Sequence, residues 1–244
     1  MFDSLTTSAS WTVIAFALIV FPTLFFITAP YGRHFRPGWG PSLGARLGWL
    51  VMEAPSFFLF GALWLSHPQL GQPLVTALGI AWLVHYGQRT FVYTATMKEN
   101  GRRKPLLTIV MAVVFNVLNS YGNATQLSER PLDLAFFAGL GLFALGFAMN
   151  VHSDAVLRSL RAPGEGGYKI PHGGLHRFVA SPNYFGEIVE WLGFALAAQS
   201  LAGWAFFFFT CANLVPRARS NRDWYRAQFP DYPASRRAVI PFLW

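Results

Sequence analysis

The chain has 244 residues, of which 53% are hydrophobic and only 12% charged, with a formal net charge of +8. A water-soluble domain carries about a quarter of its residues as charges, so half that share means that much of the exterior faces lipid. A single cysteine, Cys211, excludes an internal disulfide and any zinc or iron–sulfur centre built from several cysteines.

Apolar segments of near-spanning length predict helices at 9–29, 47–66, 72–96, 105–122, 132–150, 186–199 and 201–215, against the roughly 20 residues that a crossing needs. The last two are short, and read either as a helical hairpin turning near Gln199, Ser200 and Gly203 or as one bent re-entrant segment. The first run is longer than the roughly 7–15 residues of a signal-peptide core and reads as a retained span. Seven spans with the amino terminus outside place Arg33, Arg36, Arg46, the 97–104 and 151–185 loops and the tail from Arg217 on the cytosolic side. Of the 19 Lys and Arg, only Arg130 then falls outside. Six spans would separate the basic tail from the other basic loops, so the positive-inside rule favours seven. The expected fold class is all-α: a single polytopic membrane domain over 1–244 with seven transmembrane helices and a cytosolic carboxyl terminus.

Polar residues inside such spans need a reason. Glu53 interrupts the second span roughly 10 Å from its inner end, at the helical rise of about 1.5 Å per residue. An unpaired carboxylate there costs several kcal/mol, so Glu53 either pairs with a neighbouring helix or borders a wet site. Pro55, just beyond it, loosens the backbone hydrogen bonding of that turn. In the third span His85, Tyr86 and Arg89 share one helical face near the same depth. Asn150, Asp154 and Arg158 are spaced one turn apart where the fifth span continues into the cytosol, followed by the glycine-rich stretch 163–174. Neither a P-loop nor a Rossmann fingerprint is present. Asn183, Glu187 and Glu190 open the sixth span on neighbouring positions of one face. The tail alternates arginines with Trp224, Tyr225, Phe229 and Tyr232, a pattern suited to a lipid surface or an anionic cofactor rather than to nucleic acid.

Three local patterns lead nowhere. Gly40 to Gly44 spells a nucleophile-elbow pattern in what reads as a short interspan loop. His172 and His176 have a four-residue spacing but glycines between them and no third ligand, so no metal is expected. Asn123 heads a glycosylation pattern in a predicted outer loop.

Several of these segments together resemble the membrane steroid 5α-reductase family, the 3-oxo-5α-steroid 4-dehydrogenases. The resemblance rests on EAPSF at 53–57, HYGQRTF at 85–91, NVHSD at 150–154, LRSLRAPGE at 157–165, SPNYFGEIVEW at 181–191 and the ending from Phe229 to Phe242. It implies NADPH-dependent reduction of a steroid enone in a seven-helix bundle, with the substrate pocket among helices one to four and the NADPH site formed by helices five to seven, the cytosolic loops and the tail. By the same resemblance Glu53 and Tyr86 hold the 3-keto oxygen. Asn150, Asp154, Arg161 and Tyr168 fall on the adenosine-phosphate side, and Asn183 and Glu187 near the nicotinamide. Arg89, Arg102, Arg217, Tyr225 and Arg236 close over phosphates or brace the tail. Met52 stands where the animal enzymes have Gln, and Asn221, a cofactor-side position, where they have His. Beyond membrane lipid and an apolar enone substrate, no protein partner is called for; the membrane is a bacterial inner membrane or the endoplasmic reticulum. Competing readings are a reductase of a non-steroid enone or enoyl thioester, an isoprenylcysteine methyltransferase relative, and a transporter or sterol-binding protein.

Overall fold

A computed structural model describes residues 2–98, 101–160, 162, 165 and 167–244. The chain is mostly helical: α1 (Phe2–Phe26), α2 (Ala45–Leu65), α3 (Pro73–Gly87), α4 (Thr94–Thr96), α5 (Leu106–Thr125), α6 (Leu134–Ser159), α7 (Pro182–Ala198) and α8 (Leu201–Gln228). A π-helical stretch, Gln88–Tyr93, joins α3 to α4, so 73–96 is one continuous helical rod. α1, α2, α5 and α6 are long and apolar enough to cross a membrane. Their outward faces carry Leu18, Phe58, Met111 and Phe137, all exposed, as lipid contact requires.

The structure departs from the expected boundaries in an informative way. α6 runs to Ser159 rather than stopping near 150, and α8 to Gln228 rather than 215, because hydropathy ends where the apolar environment ends but backbone hydrogen bonding does not. α7 and α8 form the hairpin alternative: Gln199 takes a left-handed conformation (φ 50°), and Ser200 caps α8 by accepting from Gly203 N at 3.1 Å.

An all-α expectation also missed a small ladder. β1 (Ser42–Gly44) pairs antiparallel with β2 (Arg103–Pro105), with Leu43 opposite Lys104. Leu106 N donates to Pro41 O at 2.7 Å and Ala45 N to Arg102 O at 2.9 Å, so the starts of α2 and α5 are tied together. Ser42, in the nucleophile-elbow pattern, sits within β1 and accepts from Arg103 Nε at 2.7 Å. Asn123 is likewise not in a loop: it is buried within α5, where its amide donates to Asn119 Oδ1 at 2.9 Å.

The tightest helix contact is between α6 and α7, and it is made by glycine. Gly139 and Gly146 of α6 face Gly193 and Gly186 of α7, each pair seven residues apart along its helix. A Cβ on Gly146 would fall 2.5 Å from Gly186 O, and one on Gly193 2.5 Å from Gly139 O, so no larger residue fits without parting the helices. Small residues let helix backbones approach where lipid offers no hydrophobic drive to association. Around this seam Trp82 lies at the centre of an aromatic core, stacked on Phe60 at 4.5 Å and edge-on to Trp191 at 5.3 Å. Its indole donates to Ser56 O at 2.8 Å, while Asn116 Nδ2 donates to Met52 O at 2.6 Å. Carbonyls flanking Pro55 are thereby taken up by α3 and α5. The tail folds back beneath α7: Ala180 N donates to Arg237 O at 2.8 Å and Arg237 N to Phe178 O at 2.9 Å.

Replacing Gly146 by leucine is expected to destabilise the bundle by about 1–3 kcal/mol or more, the usual cost of overpacking. Gly141→Ala, at a position with no atom within 4 Å of the added Cβ, should be silent. Thermal unfolding of the two variants in one detergent checks this.

Candidate active site

Five of the expected site residues join in one buried hydrogen-bonded chain across three rods. Arg89 Nη1 donates to Asp154 Oδ2 at 3.2 Å. Asn183 Nδ2 donates to the other oxygen of the same carboxylate at 3.0 Å. Asn150 Nδ2 donates to Asn183 O at 3.0 Å and lies 3.4 Å from Glu187 Oε2. The Arg89 and Asp154 side chains are 10% and 4% exposed, which makes this ion pair structurally consequential: a buried charge is tolerated only when paired and hydrogen-bonded. The π-helical widening places Arg89 for it. Trp49 Nε1 donates to Arg89 O at 3.2 Å, and the guanidinium packs over the rings of Trp49 and Tyr93 at 4.6 and 4.8 Å. π-helical turns are rare and are frequent at functional sites.

Glu53 of α2 and Tyr86 of α3 face this chain. Glu53 is half-buried and, among the described residues, makes no hydrogen bond or ion pair; Arg89, Glu187, His85 and Lys104 lie within electrostatic reach of it. The Tyr86 phenol is buried beside Ser56, with Glu53, Glu187 and Arg89 as its charged neighbours. Next to it His85 Nδ1 lies 2.7 Å from Glu190 Oε1, both side chains at most 3% exposed. This pair ties α3 to α7 and braces the Tyr86 ring, whose centroid is 4.9 Å from that of His85.

The remaining expected residues gather in a second layer, beside the β1–β2 ladder and the tail. Arg217 Nη2 donates to Tyr184 OH at 2.9 Å and its guanidinium lies 4.8 Å from the Tyr31 ring. Asn221 Nδ2 donates to Ser181 Oγ at 3.1 Å, and its Oδ1 meets His34 Nε2 at 3.1 Å. Tyr225 stacks on Tyr232 with centroids 5.2 Å apart and rings nearly parallel. Arg236 donates to Pro171 O at 2.9 Å. Tyr168 sits between the guanidinium groups of Arg102, at 4.7 Å, and Arg33, at 5.4 Å. Arg161 lies outside the described residues. A cleft of about 360 Å³ lined by Phe25, His34, Ser220 and Trp224 borders this layer; a second, of about 560 Å³ between Thr6, Gln126 and Gln199, lies at the opposite end of the bundle. The two histidines read as a metal pattern turn to different partners, His172 to Arg236 and His176 to Ser153 O.

Sequence reading missed Arg33 and Tyr31 as site residues, since both looked like interspan loop. Arg33 covers Tyr168, Trp224 and Tyr225 at 5.4, 5.2 and 4.5 Å. The cluster also holds donors that find no acceptor among the described residues: Arg33 Nη1, Arg236 Nε and Tyr232 OH are buried without a partner there. Burial holds the Tyr232 phenol above its ordinary value, so it stays a donor. A ligand that answers all three must be rich in acceptor oxygens, and the arginines favour an anion.

A family profile described as 3-oxo-5-alpha-steroid 4-dehydrogenase matches residues 102–244. The chain is 43% identical to a steroid 5-alpha-reductase of Gossypium hirsutum over 96% of this chain and 95% of that one. The chain belongs to the 3-oxo-5-alpha-steroid 4-dehydrogenase family. It is also 39% identical to a steroid 5-alpha-reductase of Solanum lycopersicum over the whole of both chains, and 42% identical to 3-oxo-5-alpha-steroid 4-dehydrogenase 1 of Homo sapiens over 87% and 85%. The family is one of oxidoreductases. The matched profile runs from the start of β2 through α5, α6, α7 and α8 to the tail and so carries the second-layer residues from Arg102 to Arg236; Glu53, Tyr86 and Arg89 precede it.

Asp154→Leu is expected to remove roughly 3–5 kcal/mol of stability, the cost of leaving one member of a buried pair without its partner. Asp154→Asn, which keeps acceptor and shape, should lose less; denaturation midpoints of the two variants give the comparison.

Proposed function

We propose that the protein reduces the 4,5 double bond of 3-oxo-4-ene steroids with NADPH, giving 5α-3-oxosteroids. The observation that carries this is the proximity of Glu53 and Tyr86: a carboxyl with no hydrogen-bond partner among the described residues and a buried phenol, within electrostatic reach of each other inside an apolar bundle beside the Arg89–Asp154–Asn183 chain. Family membership supports the reaction class. We further propose that α1, α2, the rod from α3 through α4, α5, α6, α7 and the first half of α8 make seven crossings, amino terminus outside, because that arrangement leaves all but one of the basic residues at the cytosolic end.

The donor-rich cytosolic layer fits an acceptor-rich, anionic dinucleotide. Arg102, Tyr168, Tyr225 and Arg236, with Arg33, would hold its phosphates and adenosine; Arg161 joins the same side by sequence. Asn150 and Asp154 continue that wall inward, Asn183 and Glu187 would meet the nicotinamide amide, and Arg89, Arg217 and Asn221 lie between. When bound, NADPH supplies the hydride that adds to the β carbon of the enone.

The chain's own residues do the rest. As the β carbon is reduced, negative charge builds on the ketone oxygen, and Tyr86 donates a hydrogen bond to it. Such a donor, fixed in advance in a site without bulk water, lowers the barrier without reorganisation. A protonated Glu53 donates a second hydrogen bond to the ketone, whereas an ionised Glu53 orients the phenol instead. Apolar walls on α2, α3 and α5 hold the rest of the steroid and keep bulk water from the β carbon, and the enolate left by hydride addition is completed by a proton delivered to its α carbon from water or a neighbouring acid.

Tyr86→Phe is expected to lower turnover by about 10²–10³, the usual effect of losing one such donor, with NADPH affinity unchanged. NADPH consumption by purified protein with testosterone or progesterone, with mass spectrometry of the product for two added hydrogens, measures it. Near-normal turnover in that variant would remove Tyr86 from the mechanism, and wild-type protein that fails to bind NADPH would overturn the reading as a whole.

A further inference from the structure

α5 is long and apolar enough to cross a membrane, yet it carries a line of amides and hydroxyls that the reaction has not used. Asn116, Asn119, Ser120 and Asn123 are all buried, and Gln126 follows at the helix end. They recur about once per turn and so share one face. That face looks into the bundle: Asn116 Nδ2 donates to Met52 O on α2 at 2.6 Å, and Asn123 Nδ2 donates to Asn119 Oδ1 at 2.9 Å and to Ala202 O on α8 at 3.4 Å. Gln126 donates to Ser10 Oγ on α1 at 2.8 Å, accepts from Ala202 N at 2.9 Å, and lines the cleft of about 560 Å³ at that end of the bundle.

Polar atoms near the middle of this line are left over. Asn119 Nδ2, Ser120 Oγ and, across on α2, Ser56 Oγ are buried with no partner among the described residues. A helical serine or threonine can always give its hydroxyl to the carbonyl four residues back, and Ser10, Thr12, Thr23, Thr125 and Ser153 do so. Ser56 and Ser120 do not; for Ser56 that carbonyl, Met52 O, is taken by Asn116. Gly48 faces Ile109 and Met52 faces Asn116, so α2 and α5 run in the same direction. Four residues further along both helices stand Ser56 and Ser120, and the same register therefore sets the two hydroxyls at one depth, with Asn119 next to Ser120. Ser56 is also the residue beside the Tyr86 phenol, and its carbonyl is held at 2.8 Å by Trp82, one turn before Tyr86. Two hydroxyls and an amide N–H call for a small ligand that both donates and accepts. Buried water makes about three hydrogen bonds to groups of this kind, and polar side chains facing the interior of a membrane bundle commonly mark a path for water or protons.

We propose that Ser56, Ser120 and Asn119 hold an internal water, supplied from the cleft along Gln126 and Asn123, and that this water protonates the α carbon of the substrate. The proposal rests on the reductase reading above. Hydride addition to the β carbon pushes the electron pair of the double bond into an enolate whose oxygen meets Tyr86. The α carbon is bonded to that carbonyl carbon and so comes close to Ser56. There an O–H bond of the water breaks, its proton forms the new C–H bond at the α carbon, and the enolate electrons return to the ketone. The hydroxide left behind takes a proton from the next water along the line, and the deficit ends in bulk water at the cleft. Ser56, Ser120 and Asn119 are positioning residues in this step: they hold the water oxygen and exchange no proton with the substrate.

Ser120→Val and Ser120→Thr have one shape and differ only in the hydroxyl, which makes them the decisive pair. In Ser120→Val, kcat with testosterone is expected to fall by roughly tenfold or more, with KM for NADPH unmoved. Proton transfer then limits the rate, so the solvent isotope effect on kcat grows and the primary effect of deuterated NADPH shrinks. Ser120→Thr should keep the wild-type values of both. A purely structural role would lower kcat in the two variants alike and shift neither isotope effect, and that result overturns the proposal, as does an unaltered Ser120→Val. Should the bulkier side chains not fold, Ser120→Ala is held to the same isotope effects. Asn123→Leu, which interrupts the supply, should show them as well, and wild-type isotope effects there would overturn the route. A second readout needs no turnover. A crystal structure fine enough to show ordered water is expected to place one within hydrogen-bond distance of Ser56 Oγ, Ser120 Oγ and Asn119 Nδ2, and a dry site refutes the proposal. Water in place in a protein that reduces no steroid would instead refute the reductase reading and leave the water site standing.

Discussion

The contact on which the rest depends is the glycine seam between α6 and α7. In lipid there is no water to complete a stray polar group and no hydrophobic drive pressing helices together, so close approach has to come from the residues at the interface. Gly139, Gly146, Gly186 and Gly193 provide it by leaving backbone against backbone. Only at that spacing can Asn150, a short side chain on α6, donate to Asn183 O on α7 at 3.0 Å. The same register sets Asp154 where Asn183 reaches it. A wider helix pair would leave both asparagines and the carboxylate buried and unanswered, at a cost of several kcal/mol each.

Asp154 then organises the third partner. Its second oxygen takes Arg89, and Arg89 is delivered by a helix that widens into a π turn, with Trp49 holding the carbonyl of that turn. The ion pair is not a gain in stability in itself, since desolvating both charges offsets most of their attraction. What it contributes is position: three rods are tied at one depth, and Tyr86, one turn before Arg89, is held toward Glu53 and away from lipid. The His85–Glu190 contact, 2.7 Å, repeats the tie one step nearer the aromatic core. In the proposed mechanism, rigid support of this kind would let a single phenol act as a fixed donor rather than a mobile one.

Above and below this level the molecule divides its work. The aromatic cluster around Trp82 closes the bundle on one side, packed densely enough that Trp82, Trp191 and Phe60 are almost wholly buried. On the other side lies an open layer of arginines laid on aromatic faces, where Arg33, Arg236 and Tyr232 each hold a donor with no partner among the described residues. An apolar substrate and an anionic cofactor would approach one reacting point from opposite environments, and the Glu53–Tyr86 level is where the two environments meet.

Much of this was legible in the sequence, because hydropathy and charge asymmetry are local sums. The helices, the hairpin near Gln199 and the grouping of basic residues in the loops and tail come from composition along short windows, and the family resemblance named Glu53, Tyr86, Arg89, Asp154 and Asn183. Their order of contact was not legible: that Asp154 takes both Arg89 and Asn183 depends on three rods meeting at one depth. The β1–β2 ladder joins two three-residue segments some 60 positions apart, too short to carry a periodic signal. Arg33 read as an ordinary loop charge, since a single cation looks the same in sequence whether it faces water or a π-lined pocket. The sequence by itself determined which segments leave water and which end of each carries charge, because transfer to lipid is decided residue by residue. Only the tertiary structure decided which polar groups answer one another, because that depends on the register of close-packed helices, and register is set by contacts between residues far apart in the chain.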